Sequence, residues 1–210
     1  MELTDTFPGS DLTLGDLTVT NTGLDNTPTD PQIISNLGAL ADMLTTLAND
    51  IGPFTVDSAF RSDAVNTEVG GASGSAHAMG LAADIIPTTM TYNEWYSALL
   101  NSNYIFQLGE MFVKPSQGDI HVSLPLPGKT YFAGILDPKT KQYRRFTSSE
   151  LAWYKGYNAD PTQPPPSSLH LSGAAAEIGQ IATDAAIPLA VIAGLAAAGF
   201  FAYAIFSRGN

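Results

Sequence analysis

Residues 31–51 carry Ile33, Leu37, Leu40, Leu44, Leu47 and Ile51 at alternating spacings of four and three. That period places them on one face of an amphipathic helix. Asp30 and Pro31 have the character of its cap and first position, and Gly52-Pro53 stops it. After the stop, FTVDSAF reads as a short strand leading into a turn. A second helix is predicted from Thr91, whose hydroxyl has capping-box spacing to Glu94, through Trp95 and Leu99 to an end at residues 101–103. Two extended segments follow, YIFQLGEMFV and DIHVSLPL. Then YFAGIL and QYRRFT flank the turn sequence DPKTK as a hairpin. Helices and short strands mixed in this order predict an α+β fold.

The pattern changes completely past residue 157. NADPTQPPPSSLHLSG is rich in proline and small polar residues, the composition of a stiff, solvated spacer. Between Asp184 and Arg208 lie 23 residues without a charge. As a helix they would reach about 34 Å, enough for a bilayer core of roughly 30 Å. Phe200, Phe201, Tyr203 and Phe206 gather at the far end as an interfacial belt would. Ala190, Gly194, Ala198 and Ala202 recur every four positions, a smooth face for a helix partner in the membrane. The expected organisation is therefore a folded domain over residues 1–157, a linker over 158–173, and a C-terminal helix over 174–210 that crosses a membrane at about 185–207. Such a chain is a single-pass membrane protein with a C-terminal anchor. The acidic N-terminus lacks the basic patch and apolar run of a secretory signal.

Composition narrows the chemistry. With 20 acidic against 9 basic residues the net charge is −11, which repels phosphate backbones and excludes a nucleic-acid partner. The absence of cysteine excludes disulfides, thiolate metal sites and a cysteine nucleophile, so a metal would need His, Asp or Glu. Only three histidines exist. His170 falls in the spacer, which cannot hold a rigid metal site. His77 sits in a small-residue loop running into an apolar strand near whose start Asp84 stands, and His121 alternates with Ile120 and Val122 in DIHVSL. Two histidines and one aspartate would leave a fourth position for water, the arrangement of a catalytic zinc site, although histidines satisfied in a core are the commoner outcome.

The run DSAFRSDAVNTEVGGASGSAHAMGLAADI, with IFQLGEMF and DIHVSL downstream, resembles the zinc D-Ala-D-Ala carboxypeptidase family and related peptidoglycan peptidases, including those of phages. The motif is Ser75, His77, Gly80, Ala82 and Asp84, paired with a later His-Val-Ser, and the likeness covers about residues 10 to 125. It implies an α+β fold with a small antiparallel sheet and packed helices, of the D-Ala-D-Ala carboxypeptidase and hedgehog-like type. It implies Zn²⁺ on His77, Asp84 and His121, and hydrolysis of stem-peptide or cross-link amide bonds. Arg61, in SAFRS, matches the arginine that holds a substrate carboxylate or carbonyl oxygen. The alternative for Arg61 is an ion pair with Asp57 or Asp63. Ser75 either orients substrate or a ligand, or finishes a turn.

The general base departs from the family pattern. Several relatives have Glu three residues before the last histidine or His two before it, where this chain has Gly118 and Asp119. Asp119 and Glu110 are therefore rival bases, with Asp119 preferred on proximity. Lys139, Lys141, Arg144, Arg145 and Lys155 form a basic stretch that either meets anionic surfaces or defends a hairpin edge. The reading is a membrane-anchored zinc peptidase of peptidoglycan, suited to a phage that carries it for entry or makes it for lysis. The competing class is an inactive peptidase-like module that binds wall peptides or serves as a structural membrane protein of a virion.

Overall fold

The structure is a computed structural model that describes residues 1–169 except 116, 138, 139, 141, 167 and 168. The proposed membrane span, the linker beyond Leu169, His170, Lys139 and Lys141 lie outside the described residues. Among the described residues no helix is long and apolar enough to cross a membrane.

In chain order the elements are α1 (Leu14–Leu17), α2 (Pro31–Asp50), β1 (Phe54–Ser58), α3 (Asp63–Glu68), β2 (Ala82–Pro87) and α4 (Tyr92–Asn101). A 3₁₀ turn (Asn103–Phe106) leads to β3 (Glu110–Lys114), β4 (Asp119–Ser123), β5 (Phe132–Leu136), β6 (Tyr143–Arg145) and α5 (Ser148–Gly156). The six strands form one sheet in the order β1-β2-β4-β3-β5-β6. The fold is α+β, and its sheet is mixed: β3 and β5 pair in parallel, while the other pairs are antiparallel.

Local chemistry accounts for the helix ends. Asp30 accepts from Gln32 N with Pro31 in the first turn of α2, and Thr91 and Glu94 close a reciprocal capping box on α4. Thr147 and Glu150 form another such box on α5, a helix the sequence pattern did not predict although the spacing is the same. Residues 104–106, expected as extended chain, instead make the 3₁₀ turn. The Ser102 hydroxyl, ending α4, also accepts from Tyr104 N and winds the next residues tightly.

One face of the sheet carries Ala83, Ile85, Met111, Val113, Ile120, Val122 and Ile135. These join Leu37, Leu40, Leu44 and Leu47 of α2 and Trp95 and Leu99 of α4 in a single buried cluster. Burying such side chains contributes about 1.5–3 kcal/mol each against leaving them in water. Tyr96, wholly buried, donates its hydroxyl to Met111 O and ties α4 to β3. Past α5, Trp153 Nε1 donates to Gln163 O and Leu169 is fully buried in the same cluster, so the described part of the proline-rich stretch lies against the domain.

The register aligns Asp84, His121, Phe112, Gly134 and Arg145 as one row across the opposite face. The site is built on that face.

Candidate metal centre

Three segments converge there. β2 and β4 place Asp84 directly opposite His121. His77 comes from the loop before β2, which is folded into consecutive tight turns: Ser75 N donates to Ala72 O, Gly80 N to His77 O and Leu81 N to Ala76 O. The loop is fastened to α2, whose Asn36 Nδ2 donates to Met79 O. Gly80 has φ +67, and a Cβ there would lie 3.1 Å from Ile33 O. Only glycine permits both that backbone and that approach to the helix.

His77, Asp84 and His121 are all buried. His77 Nε2 lies 3.2 Å from His121 Nδ1 and 3.4 Å from Asp84 Oδ1, and His121 Nδ1 lies 3.0 Å from Asp84 Oδ1. A tetrahedral zinc ion with bonds of about 2.0–2.1 Å holds its ligand atoms about 3.3 Å apart. The spacing therefore fits such an ion without rearrangement. The donor chemistry fits as well. His77 Nδ1 is 2.6 Å from Ala59 O, a carbonyl that can only accept, so the proton sits on Nδ1 and Nε2 turns a lone pair inward. Asp84 Oδ1 adds another acceptor, and His121 Nδ1 becomes a third once its proton leaves. Three acceptors converging in a dry site call for a cation.

Charge around the group is paired closely. Asp84 Oδ2 takes both Arg61 Nη2 and Lys114 Nζ at 2.7 Å, which leaves Oδ1 to face the histidines. Lys114 Nζ also donates to Asp119 Oδ2 at 2.8 Å. Burial alone would raise the Asp84 carboxyl, but His77, Lys114 and the His121 hydrogen bond outweigh it and hold it well below the ordinary aspartate value. Burial drives the His77 imidazole down, against the pull of Asp84. His121 is raised, because its contacts with Asp84 and Glu110 overcome burial. Of the two imidazoles, the one between two carboxylates is thus raised and the other lowered. Burial raises Asp119 despite Lys114, whereas the Asp84 and Asp119 charges keep Lys114 raised against its own desolvation.

The structure thus brings His77, Asp84, His121 and Arg61 together, with Arg61 paired to Asp84 and not to Asp57 or Asp63. Arg61 is positioned by Asn26, a buried residue whose Nδ2 donates to Phe60 O and Thr18 O and whose Oδ1 accepts from Ser62 N. The Ser75 hydroxyl accepts from His77 N, which puts it in the turn that orients a ligand residue. Asp119 reaches the group through Lys114. Glu110 lies on the other edge of His121, with Oε2 3.5 Å from Nε2, and that contact lowers its carboxyl. Gly118, where the family resemblance would lead one to expect glutamate, closes the β3–β4 turn at φ +77, and Gly118 N donates to Lys114 O. A glutamate there would sit in the left-handed region that side chains disfavour.

Sequence reasoning missed Lys114, Asn26 and the Ala59 carbonyl. For Lys114 a signal existed, since alternation along EMFVK puts Glu110, Phe112 and Lys114 on one face. Neither Asn26 nor a backbone carbonyl announces itself in sequence. Of the basic stretch, Arg144 is tied to the fully buried Glu150 by two hydrogen bonds of 2.7 and 2.8 Å, and Arg145 lies over the Phe132 ring.

An α+β domain with a buried His–Asp–His group on one sheet face is the framework of a metal-dependent hydrolase. The peptidase M15 family model matches residues 10–123, more than half of the chain, and the chain belongs to that family, whose members are zinc-dependent. No curated protein sequence matches it.

Proposed function

We propose that the protein is a zinc metallopeptidase that hydrolyses amide bonds of peptidoglycan, as a D-Ala-D-Ala carboxypeptidase or a cross-link endopeptidase. The observation that carries this reading is the set of three ligand atoms, 3.0–3.4 Å apart, in an M15 domain. His77, Asp84 and His121 would hold the ion. When bound, zinc supplies Lewis acidity toward the scissile carbonyl and a water pKa lowered to about 7. Arg61 and Lys114 fix Asp84 so that one oxygen faces the site. Glu110 is the better proton acceptor of the two rivals: it is partly exposed, its carboxyl is lowered, and its neighbours are the outer edge of His121 and the exposed Lys129. Asp119 is buried and bound to Lys114, which makes it a structural partner. The uncharged segment at residues 185–207 supports a C-terminal membrane anchor, and with it a role at a host envelope or in a membrane-containing phage particle.

Zinc content and muropeptide hydrolysis of the full-length chain test this reading. The wild type is expected to hold one zinc and release D-Ala or split dimers. His121→Ala should lose both metal and activity. Glu110→Gln should keep the metal and lose about 10²–10⁴ in kcat, with Asp119→Asn affected less. The left-handed Gly118, where the family resemblance would lead one to expect a glutamate, favours a second reading, an inactive wall-binding or virion membrane module. Zinc binding without any hydrolysis by the wild type would select it.

A further inference from the structure

The family match stops at residue 123, yet the sheet does not. β5 and β6 continue the face that carries the metal group. Tyr143 pairs with Leu136 and stands two residues before Arg145, which ends the row of Asp84 and His121, so it shares the face of that row. Tyr143 packs its ring on Phe112 at a centroid distance of 4.5 Å, and Phe112 stacks in turn on His121 at 5.2 Å with an interplanar angle of 22°. The Tyr143 ring is thus one side chain removed from a ligand imidazole. Nevertheless Tyr143 is 48% exposed, among the most open large side chains in the domain. Its phenol, raised by burial of its inner part, lies close enough to feel Lys114, Asp84, Asp119 and Arg61. Among the described residues its hydroxyl has no hydrogen-bond partner.

We propose that Tyr143 is a substrate-binding residue, contributed to the site by the hairpin beyond the matched region, and that its hydroxyl donates to a backbone carbonyl of the bound peptide. The choice of a neutral acceptor follows from charge. Arg61 and Lys114 are already matched by Asp84 and Asp119, so this side of the site has no surplus cation to draw a carboxylate. A phenol donor beside an aromatic ring suits an amide oxygen with its flanking apolar atoms. The inference rests on the peptidase reading for the identity of the ligand as a peptide.

The test uses Tyr143→Phe in the full-length chain, because it removes the hydroxyl alone and keeps the ring on Phe112. The probe is a soluble stem pentapeptide ending in D-Ala-D-Ala. Binding to the metal-free protein is followed by calorimetry, and KM and kcat of the zinc-loaded protein are measured alongside. Zinc stoichiometry and thermal unfolding should match the wild type. The dissociation constant and KM should each rise about fivefold, the loss of one hydrogen bond, with kcat changed less than twofold. A merely structural tyrosine would shift the unfolding midpoint and leave KM alone. Binding within twofold of wild type, or a wild type that does not bind the peptide at all, overturns the assignment. A wild type that binds the peptide, more tightly than Tyr143→Phe, but never cleaves it overturns the peptidase reading and leaves Tyr143 standing.

Discussion

On one side of β4, Ile120 and Val122 have no exposed surface, and on the other Asp119 and His121 have 4% and 5%. The apolar side is held by exclusion of water and by close packing, which ask for volume and shape but not for particular partners. The charged side is held by pairs, Lys114 with Asp84 and Asp119, and Arg61 with Asp84, each at 2.7–2.8 Å. Taking those charges out of water costs several kcal/mol per ion, which only good geometry offsets. Equal dryness therefore rests on unlike forces. On the apolar side damage scales with atoms removed, whereas on the charged side it depends on which partner is left behind.

Four measurements would break or sharpen that contrast. The largest effect on stability is expected from Lys114→Met, which strands Asp119 and half of the Asp84 clamp. Urea unfolding of the metal-free protein should lose about 3–5 kcal/mol. Adding Asp119→Leu to that variant should restore much of it, and a double variant as weak as the single one would show that pairing is not what holds this face. Next comes Ile120→Ala on the apolar side, with an expected loss of about 2–5 kcal/mol and no rescue by a neighbouring change. Zinc stoichiometry per folded molecule should stay at the wild-type value, since the substitution faces away from the ligands.

A smaller effect concerns pH. Metal and proton compete for His121 Nδ1, and a raised His121 keeps its proton to higher pH. Zinc affinity should accordingly climb by up to about tenfold per pH unit through the neutral range, then level off once the imidazole is neutral. Calorimetry in buffers of different ionisation enthalpy should register proton release near pH 7, and none at all would mean that His121 is already neutral. The smallest change is expected from Gly118→Glu, which places a carboxylate where the family resemblance would lead one to expect it. It should cost about 1 kcal/mol for the left-handed backbone, seen as a lower unfolding midpoint, and give no gain in kcat. A faster enzyme would show that the β3–β4 turn can relax to present a base.

The reach of sequence reasoning differs from residue to residue. Helix α2 was legible because its period of apolar residues and its Asp30-Pro31 start are local signals. The box of Thr91 and Glu94 gave α4 for the same reason. Helix α5 lies inside the domain expected over residues 1–157 and carried an equal capping signal in Thr147 and Glu150, but it went unpredicted, since its nine residues show no clear apolar period. The 3₁₀ turn at residues 103–106 was hidden, because short tight turns arise from one serine hydroxyl and leave no periodicity.

By itself the sequence determined the α+β class, the lengths of the main helices, and the identity of His77, Asp84 and His121 as the residues able to hold a metal. The class and the helices follow from local period, a property of neighbours along the chain, and the three residues from the resemblance of their motif to a known family. Only the tertiary structure decided that Lys114 stands between Asp84 and Asp119, that Ala59 sets the His77 tautomer, and that Glu110 meets the outer edge of His121. It also brought the hairpin, and Tyr143 with it, onto the face of the metal group through the parallel pairing of β3 with β5. Strand order and register join residues distant in sequence, and the pairing of buried charges depends on distances of a few ångströms that no local pattern encodes.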